Sequence, residues 1–193
     1  MLLSDKKILQ ELKTGRIQIQ DFDQRQLSTN SYDVRLDNVF FMQKPVSVIV
    51  GTTQSGVEEM WGKPQTSGRY IQFPAGEMVL CRTREIIGAR DGITTKMQGR
   101  SSIARLGLSV EQAGLGDSGY IAQWTCEICN HTKTDILLPV GIRVAQIMFF
   151  KIGKTLKEYD GKYGFGEHLS PNMLSRLYDD YDLEDVLAGK YIG

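Results

Sequence analysis

One loop of this chain concentrates hydrogen-bond donors: Gly99-Arg100-Ser101-Ser102-Ile103-Ala104-Arg105-Leu106-Gly107. A guanidinium group presents a planar fork of donors that matches phosphate oxygens, and serine hydroxyls and backbone amides add further donors. Glycine lets a ligand approach the backbone closely. The loop therefore predicts an anion site suited to a triphosphate. The structural alternative is that Arg100 and Arg105 pair with surface acids while the two serines complete a turn.

A single acid, Glu127, lies in the otherwise uncharged run 120–130. Alternation along a strand places Glu127 on the more polar face, beside Thr125. Burial raises the pKa of a carboxyl group, and a raised pKa suits it to general acid and base catalysis near neutral pH. The same pattern fits a structural ion pair equally well. The candidate partners for that pair are Arg100, Arg105 and Arg143.

A glycine-dense turn at 113–120 precedes this strand. Asp117 could hold a sugar hydroxyl or a water molecule, and Tyr120 could pack against a ribose. Aspartate is also common in Gly/Ser turns because its side chain bonds the local backbone. Taken alone, the turn favours the structural interpretation.

The three cysteines include a Cys-x-x-Cys pair, Cys126 and Cys129. Residues three apart on a strand point to opposite faces, so both thiols cannot reach one metal without a turn. Zinc-dependent base deaminases use His-x-Glu with Pro-Cys-x-x-Cys, and this chain has neither. Cys81 and His131 could complete a site, but no spacing requires it. We predict no zinc and no protein-held metal, with the cysteines reduced.

Length, composition and charge exclude some classes of function. The 193 residues suit a single domain spanning 1–193, and 23 basic residues balance 23 acidic ones. A formal charge of zero gives no general attraction to nucleic acid or to acidic membranes. The amino terminus lacks a secretory signal pattern, and no apolar run is long enough for a bilayer. We therefore predict a cytoplasmic protein without nucleic-acid or membrane partners.

The residue pattern predicts a mainly β fold with a helix at each end. Ser4 is placed to cap a first helix that Gly15 ends. Residues 52–68 are predicted to form a loop, and residues 159–193 a mobile or partly helical tail, with a helix starting at Ser170-Pro171 and a solvated acidic run at 179–185. The predicted strands are 32–41, 46–50, 70–73, 78–82, 120–130, 136–138 and 142–152.

Several strings together resemble the dCTP deaminases of the zinc-independent group that shares its fold with trimeric dUTPases. They are NSYDVRL at 30–36, GRSSIARLGL at 99–108, AGLGDSGY at 113–120, Glu127 with Asn130, Gly141, Gln146 before Phe149, and Tyr159 with Gly161-Lys162-Tyr163. The resemblance implies a distorted β-barrel or jelly roll with a short N-terminal helix and a C-terminal helix or tail. It also implies a homotrimer with sites between subunits.

The resemblance implies hydrolysis of dCTP to dUTP and ammonia, a step in making the dTTP precursor, without a transition metal. Ser101 and the carbonyl of Ala113 would hold the water, Glu127 would take and relay its proton, and Arg105 would steady the developing charge. The sister dUTPases carry an apolar residue where this chain has Glu127, which favours the deaminase. The implied substrate-binding residues are Arg100, Ser101, Ser102, Ile103, Ala104, Arg105, Asp117, Tyr120, Thr125, Cys126, Glu127, Tyr159 and Lys162.

In this scheme residues 100–105 and Lys162 would bind a triphosphate that carries Mg²⁺, Asp117 would bind the sugar, and residues 125–127 would bind the base edge. The tail with Tyr159 and Lys162 would close over bound nucleotide to exclude water. The sequence departs from the family pattern at Gly116, where isoleucine is usual.

Two alternatives stay open. A bifunctional enzyme would also cleave the triphosphate to give dUMP, with Asp117 positioning a second water at the α-phosphate; the Ala113-Gly114 pair resembles bifunctional members. A non-catalytic nucleotide-binding regulator of the same fold would need no proton carrier, so the presence of Ser101, Arg105 and Glu127 together speaks against it.

Overall fold

The computed structural model describes residues 1–46, 59–111, 114–161 and 188. Several sequence predictions fall outside these ranges. They are most of the strand 46–50, the first part of the loop 52–68, the helix from Ser170, the acidic run 179–185, and the roles of Ala113 and Lys162.

The first helix, α1, spans Asp5–Thr14. Ser4 occupies its N-cap position and its carbonyl accepts a hydrogen bond from the Ile8 amide at 2.8 Å. The Ser4 side chain makes no capping bond, so the predicted side-chain cap is wrong. Gly15 ends the helix with φ of 75°, the left-handed conformation that glycine adopts without strain. None of the helices within the described ranges is long and apolar enough to cross a membrane.

The prediction of a mainly β fold is confirmed. Residues 65–66 form a short strand, so the predicted loop at 52–68 is wrong at that point. The described strands are β1 (Ile17–Ile19), β2 (Tyr32–Met42), β3 (Gln65–Thr66), β4 (Tyr70–Phe73), β5 (Met78–Ala89), β6 (Ile93–Gly99), β7 (Leu108–Val110), β8 (Leu115–Gly116), β9 (Ile121–Asn130), β10 (Ile136–Pro139) and β11 (Arg143–Lys151). The helical segments between them include a 3₁₀ turn (Gln24–Gln26) and α2 (Ser101–Ala104), and residues 59–61 are also helical.

Nine strands form one antiparallel sheet, in the order β7-β9-β5-β2-β11-β6-β8, with β1 added beside β5 and β3 beside β2. The first half of β2 pairs with β11 and its second half pairs with β5, with a register shift between Leu36 and Phe40. Such irregularities bend a strand. β2 therefore joins two halves of a sheet that curls around the core, and β4 and β10 form a separate pair.

The two faces of β9 differ as alternation predicts. Ala122, Trp124, Cys126 and Ile128 are buried, and the last three join the main apolar core. Leu80, which lies opposite Glu127, belongs instead to a second, smaller apolar cluster with Phe41 and Trp61. The outer face of the sheet is thus partly covered beside Glu127.

β5 continues seven residues beyond the predicted end at 82 because a charged residue is accommodated inside it. Glu85 is buried, and its carboxylate accepts hydrogen bonds from Arg35 Nε at 2.6 Å and from the Arg35 amide at 2.8 Å. A buried charge is tolerated when it is paired and hydrogen-bonded. The Arg35 partner lies 50 positions away along the chain, so local sequence gives no sign of it.

The close approach of β5 to β9 generates a stability prediction at Gly88. A Cβ at this position would overlap the Tyr120 carbonyl oxygen and lie 2.7 Å from Ile121 Cα. We expect Gly88→Ala to lower the free energy of unfolding by roughly 2 kcal/mol or more, because β9 must shift. Urea unfolding followed by tryptophan fluorescence measures this change.

The matched control is Gly68→Ala, where a Cβ meets nothing within 4 Å. We expect a change within about 0.5 kcal/mol there. Equal effects of the two substitutions would contradict the described contact between β5 and β9.

Candidate active site

The donor-rich loop, residues 99–107, is anchored in the core on one side and exposed on the other. The side chain of Ile103 is buried in the main core, whereas Ser101, Ser102 and Arg105 are exposed. Arg105 Nη1 lies 3.4 Å from Ser101 Oγ, a long hydrogen bond between two predicted site residues. The loop therefore turns its hydroxyl and guanidinium donors outward, as an anion site requires.

Asp33 on β2 organises the arginines beside this loop. Its carboxylate is only 6% exposed, and Oδ2 accepts from Arg100 Nη1 and from Arg143 Nη1, the latter at 3.4 Å. Two of the arginines considered as structural partners for Glu127 thus pair with Asp33 instead. An ion pair that fixes a guanidinium group leaves its remaining N–H donors free to bind a ligand.

A cavity of about 620 Å³ opens next to this pair. Three guanidinium groups, two hydroxyls and two amides line it beside the Asp33 carboxylate, which makes it rich in donors with an excess of positive charge. These donor side chains belong to Arg25, Arg100, Arg143, Ser28, Ser101, Gln98 and Gln146.

Sequence reasoning gave no role to Asp33 or Gln146. Both lie within the strings that carry the family resemblance. Gln146 is the single polar residue of the run 144–150, which was an available signal. Asp33 gave no such signal, because β2 also carries Arg35 and Asp37. Gln146 Oε1 accepts a hydrogen bond from Ser31 Oγ at 3.3 Å, which orients its amide at the cavity.

Glu127 lies half-buried between two strands. Leu80 is its partner on β5, and on the opposite side the Glu111 amide donates to the Glu127 carbonyl at 2.8 Å. Burial raises the pKa of Glu127 and the nearby Glu111 charge raises it further, while a backbone hydrogen bond acts in the opposite direction. The arrangement holds a carboxyl group that takes up a proton more readily than an exposed one.

In the described ranges, no hydrogen bond or ion pair joins the Glu127 carboxylate to any of the three arginines considered as structural partners. A cation in contact would lower the pKa and remove the advantage for proton transfer. The ion-pair alternative for Glu127 is therefore not what the chain forms.

The neighbours of Glu127 on β9 contribute in different ways. Thr125 is half-buried on the same face. Cys126 is fully buried in the core, with Sγ 3.8 Å from Met97 Sδ, so only its main chain can meet a ligand. Burial raises the pKa of the Cys126 thiol, which therefore stays protonated. Cys129 lies on the opposite face of the strand, as the alternation predicts.

Asp117, Tyr120 and Tyr159 form a separate set. The Tyr159 amide donates to the Ser118 carbonyl at 2.7 Å, which ties the start of the tail to the glycine-dense turn. The Tyr120 ring meets the rings of Trp124 and Tyr159 edge to face, with centroids 5.1 and 5.6 Å apart. Asp117 is exposed and lines a cavity of about 460 Å³ with Tyr159.

The Trp124 ring also accounts for the departure at Gly116. A Cβ at Gly116 would lie 2.6 Å from that ring. The indole, whose Nε1 donates to the Ile87 carbonyl at 2.9 Å, occupies the space that a side chain would need.

The predicted site residues thus fall into three sets within one chain. The first is the loop around Arg100 and Ser101 with its cavity, the second is Thr125 with Glu127, and the third is the turn and tail around Asp117. The two cavities share no lining residue. The first set is suited to binding an anion, the second to transferring a proton, and the third places an exposed carboxylate beside aromatic rings.

Known proteins share this fold. The chain resembles the solved structure of a 2'-deoxycytidine 5'-triphosphate deaminase from Agrobacterium tumefaciens with a TM-score of 0.60 at 20% identity, covering 78% of this chain and 48% of that one. At this identity the likeness shows the fold. The predicted dUTPase-like fold is confirmed.

Among curated proteins, the chain is 36% identical over 152 residues to the "dCTP deaminase, dUMP-forming" of Hydrogenobaculum sp., covering 79% of this chain and 83% of that protein. It is 31% identical over 188 residues to the protein of the same name from Methanospirillum hungatei, covering 93% and 98%. Both are named for forming dUMP. The prediction of a deaminase that stops at dUTP is contradicted by these relatives.

The family profile described as dCTP deaminase-like matches residues 2–152, which include the donor-rich loop, the turn and Glu127. The resemblance inferred from the sequence strings is therefore confirmed. The chain belongs to the dCTP deaminase-like family.

Proposed function

We propose that this protein is a bifunctional enzyme that deaminates dCTP and releases dUMP. The observation that carries the proposal is the half-buried Glu127, free of any arginine partner within the described residues, in a family whose curated relatives are named as dUMP-forming deaminases. A deoxynucleotide substrate agrees with the cytoplasmic location that the sequence predicts.

Deamination needs a proton carrier beside the cytosine ring. Ser101 and the Ala113 carbonyl hold a water molecule, and Glu127 takes its proton as the oxygen bonds to C4. Glu127 passes this proton to ring N3, then takes the second proton from the hydroxyl now bonded to C4 and delivers it to the amino group. The C4–N bond breaks as the C4 carbonyl forms, which leaves the uracil base and ammonia. The raised pKa of Glu127 suits it to both directions of transfer. Arg105 steadies the charge that develops on the ring.

The triphosphate enters as its Mg²⁺ complex, with the ion held by the phosphate oxygens. The cavity beside Asp33 supplies donors that match this polyanion, since Arg100, Arg143 and Ser101 face it. Substrate phosphate and protein carboxylate together keep the guanidinium groups in place. The base then reaches the face that carries Thr125 and Glu127.

The second reaction breaks the bond between the α- and β-phosphates. Asp117 positions a water molecule at the α-phosphate, and dUMP and pyrophosphate result. Its exposed carboxylate lines the cavity that the tail covers at Tyr159. That placement leaves the Asp117 side chain available to a ligand.

A homotrimer completes the site. The loop around Ser101 and the strand that carries Glu127 belong to separate sets in one chain, so we propose that neighbouring subunits bring them together. Closed three-fold symmetry repeats such a contact three times.

The reaction products test bifunctionality. With dCTP and Mg²⁺, we expect ammonia, pyrophosphate and dUMP in equal amounts, because both hydrolyses occur at one site. Chromatography of the nucleotides with an ammonia assay measures this ratio. Accumulation of dUTP in step with ammonia would contradict the second reaction, and tight binding of dCTP without products would indicate a regulator.

Glu127→Gln tests the proton carrier. The amide matches the carboxylate in shape but cannot carry the proton, so we expect deamination to fall by about 100-fold or more while the Kd for dCTP changes little. Cleavage of supplied dUTP should continue. The control is Glu77→Gln, which removes the same charge from an exposed turn. Normal ammonia release by Glu127→Gln would show that another group carries the proton.

Mixed trimers test sites shared between subunits. Ser101→Ala and Glu127→Gln are each expected to be inactive in deamination. After the two are unfolded and refolded together, we expect about a quarter of the wild-type activity, the statistical share of intact junctions in closed three-fold rings. Activity no higher than that of either variant alone would place both residues of a site in one subunit.

A further inference from the structure

The strand pairing places a second carboxylate directly beside Glu127. Ser109 lies opposite Cys129 and Val110 opposite Ile128, and the Glu111 amide continues the ladder to the Glu127 carbonyl. Directly opposite residues of an antiparallel pair share a face, with Cβ atoms about 4.5–5.5 Å apart. Glu111 and Glu127 are therefore neighbours on the outer face of the sheet.

Glu111 is held in place by a chain of hydrogen bonds. Ser109 Oγ donates to Glu111 Oε1 at 2.5 Å and lies 2.6 Å from His131 Nε2. A serine hydroxyl can donate one hydrogen bond, and the Ser109 hydroxyl donates it to the Glu111 carboxylate. His131 Nε2 must then be the donor in the second bond, so the chain runs from His131 through Ser109 to Glu111.

These hydrogen bonds matter because the Glu111 side chain is exposed. An unrestrained glutamate would turn its charge toward water and away from a like charge. The hydroxyl of Ser109 keeps the carboxylate over the strand pair instead. Two like charges directly opposite each other are unfavourable, and the cost is relieved when one of them takes a proton.

The environment decides which of the two takes the proton. Glu127 is half-buried next to Leu80 of the smaller apolar cluster, whereas Glu111 is exposed and accepts a hydrogen bond as a carboxylate. Burial first, and the Glu111 charge in addition, raise the pKa of Glu127.

We propose that Glu111, fixed by Ser109 and His131, is a positioning residue that acts through Glu127 and sets the pH range in which Glu127 carries the proton of deamination. The inference deepens the proposed function and rests on Glu127 as its proton carrier.

The other titratable groups around Glu127 are few among the described residues. On β9 they are Cys126, Cys129 and, just past the strand, His131, and on β5 there is the thiol of Cys81, opposite Cys126. From β5 and β2 comes the ion pair of Arg82 with Asp37, whose Nε–Oδ2 distance is 2.5 Å. Of these groups, Cys129 also responds to Glu111, because burial first and then the Glu111 charge and side-chain hydrogen bond raise the pKa of its thiol. The effect on Glu127 is therefore read from the titration of Glu127 itself.

The test compares the pH dependence of kcat/KM for ammonia release in the parent chain and in Glu111→Gln. Glu127 must be ionised to take a proton from water, so activity falls on the acid side as it becomes protonated. Removing the Glu111 charge lowers the proton affinity of Glu127. We expect the acid limb to move to lower pH by roughly half a unit or more, as for charges about 5 Å apart in a solvated site.

Three further variants distinguish a change in the proton affinity of Glu127 from a simple loss of structure. Glu111→Asp keeps the charge and should restore most of the parental profile. Ser109→Ala should move the limb in the same direction as Glu111→Gln by a smaller amount, because the carboxylate is released. Glu77→Gln removes an exposed charge elsewhere and should leave the limb in place.

A second readout is independent of turnover. The side-chain ¹³C resonance of Glu127, identified by its loss in Glu127→Gln, should titrate at lower pH in Glu111→Gln than in the parent. An unmoved titration, or a uniform loss of activity with an unmoved acid limb, would overturn the inference. Absence of ammonia release from the parent would instead refute the proposed function, and the titration alone would then decide on Glu111.

Discussion

The antiparallel pairing of β9 with β5 on one side and with β7 on the other determines the chemistry of Glu127. The register puts Leu80 beside it in the first pair and Glu111 beside it in the second. An apolar neighbour and a like charge both favour the protonated carboxyl group. A shift of one residue would turn Glu127 into the main core, where Cys126 and Ile128 now lie, and the site would be lost.

Asp33 fixes the positions of positively charged side chains, as the strand pairing fixes the position of the Glu127 carboxyl group. By accepting hydrogen bonds from Arg100 and Arg143, it fixes these cations beside the 620 Å³ cavity, and no hydrogen bond in the described ranges links them to Glu127. The proposed anion site and the proposed proton carrier therefore do not neutralise each other within one chain. This separation within one chain is the basis of the proposal that a neighbouring subunit completes the site.

Features that depend on the local residue pattern could be predicted from the sequence, and features that depend on contacts between distant residues could not. The two faces of β9 follow from alternation, and the end of α1 follows from Gly15. The full length of β5 could not be predicted, because Glu85 is buried only through its pairing with Arg35. For the same reason the sequence pattern did not decide whether an arginine pairs with Glu127. The ion pairs of Asp33 with Arg100 and Arg143, and the position of Glu111 opposite Glu127, follow only from the pairing of distant strands. The family resemblance predicts site roles for the donor-rich loop and for Glu127 together, and these roles stay predictions.

The central claim is that a carboxylate at position 127 carries the proton of deamination. Chemical rescue tests it most directly, because Glu127→Ala leaves space for a small external carboxylate. We predict that Glu127→Ala releases no ammonia from dCTP by itself, and that added formate restores ammonia release in proportion to its concentration, while Glu127→Gln, whose side chain fills the space, does not respond. Ammonia release by Glu127→Ala at the parental rate without formate would contradict the account.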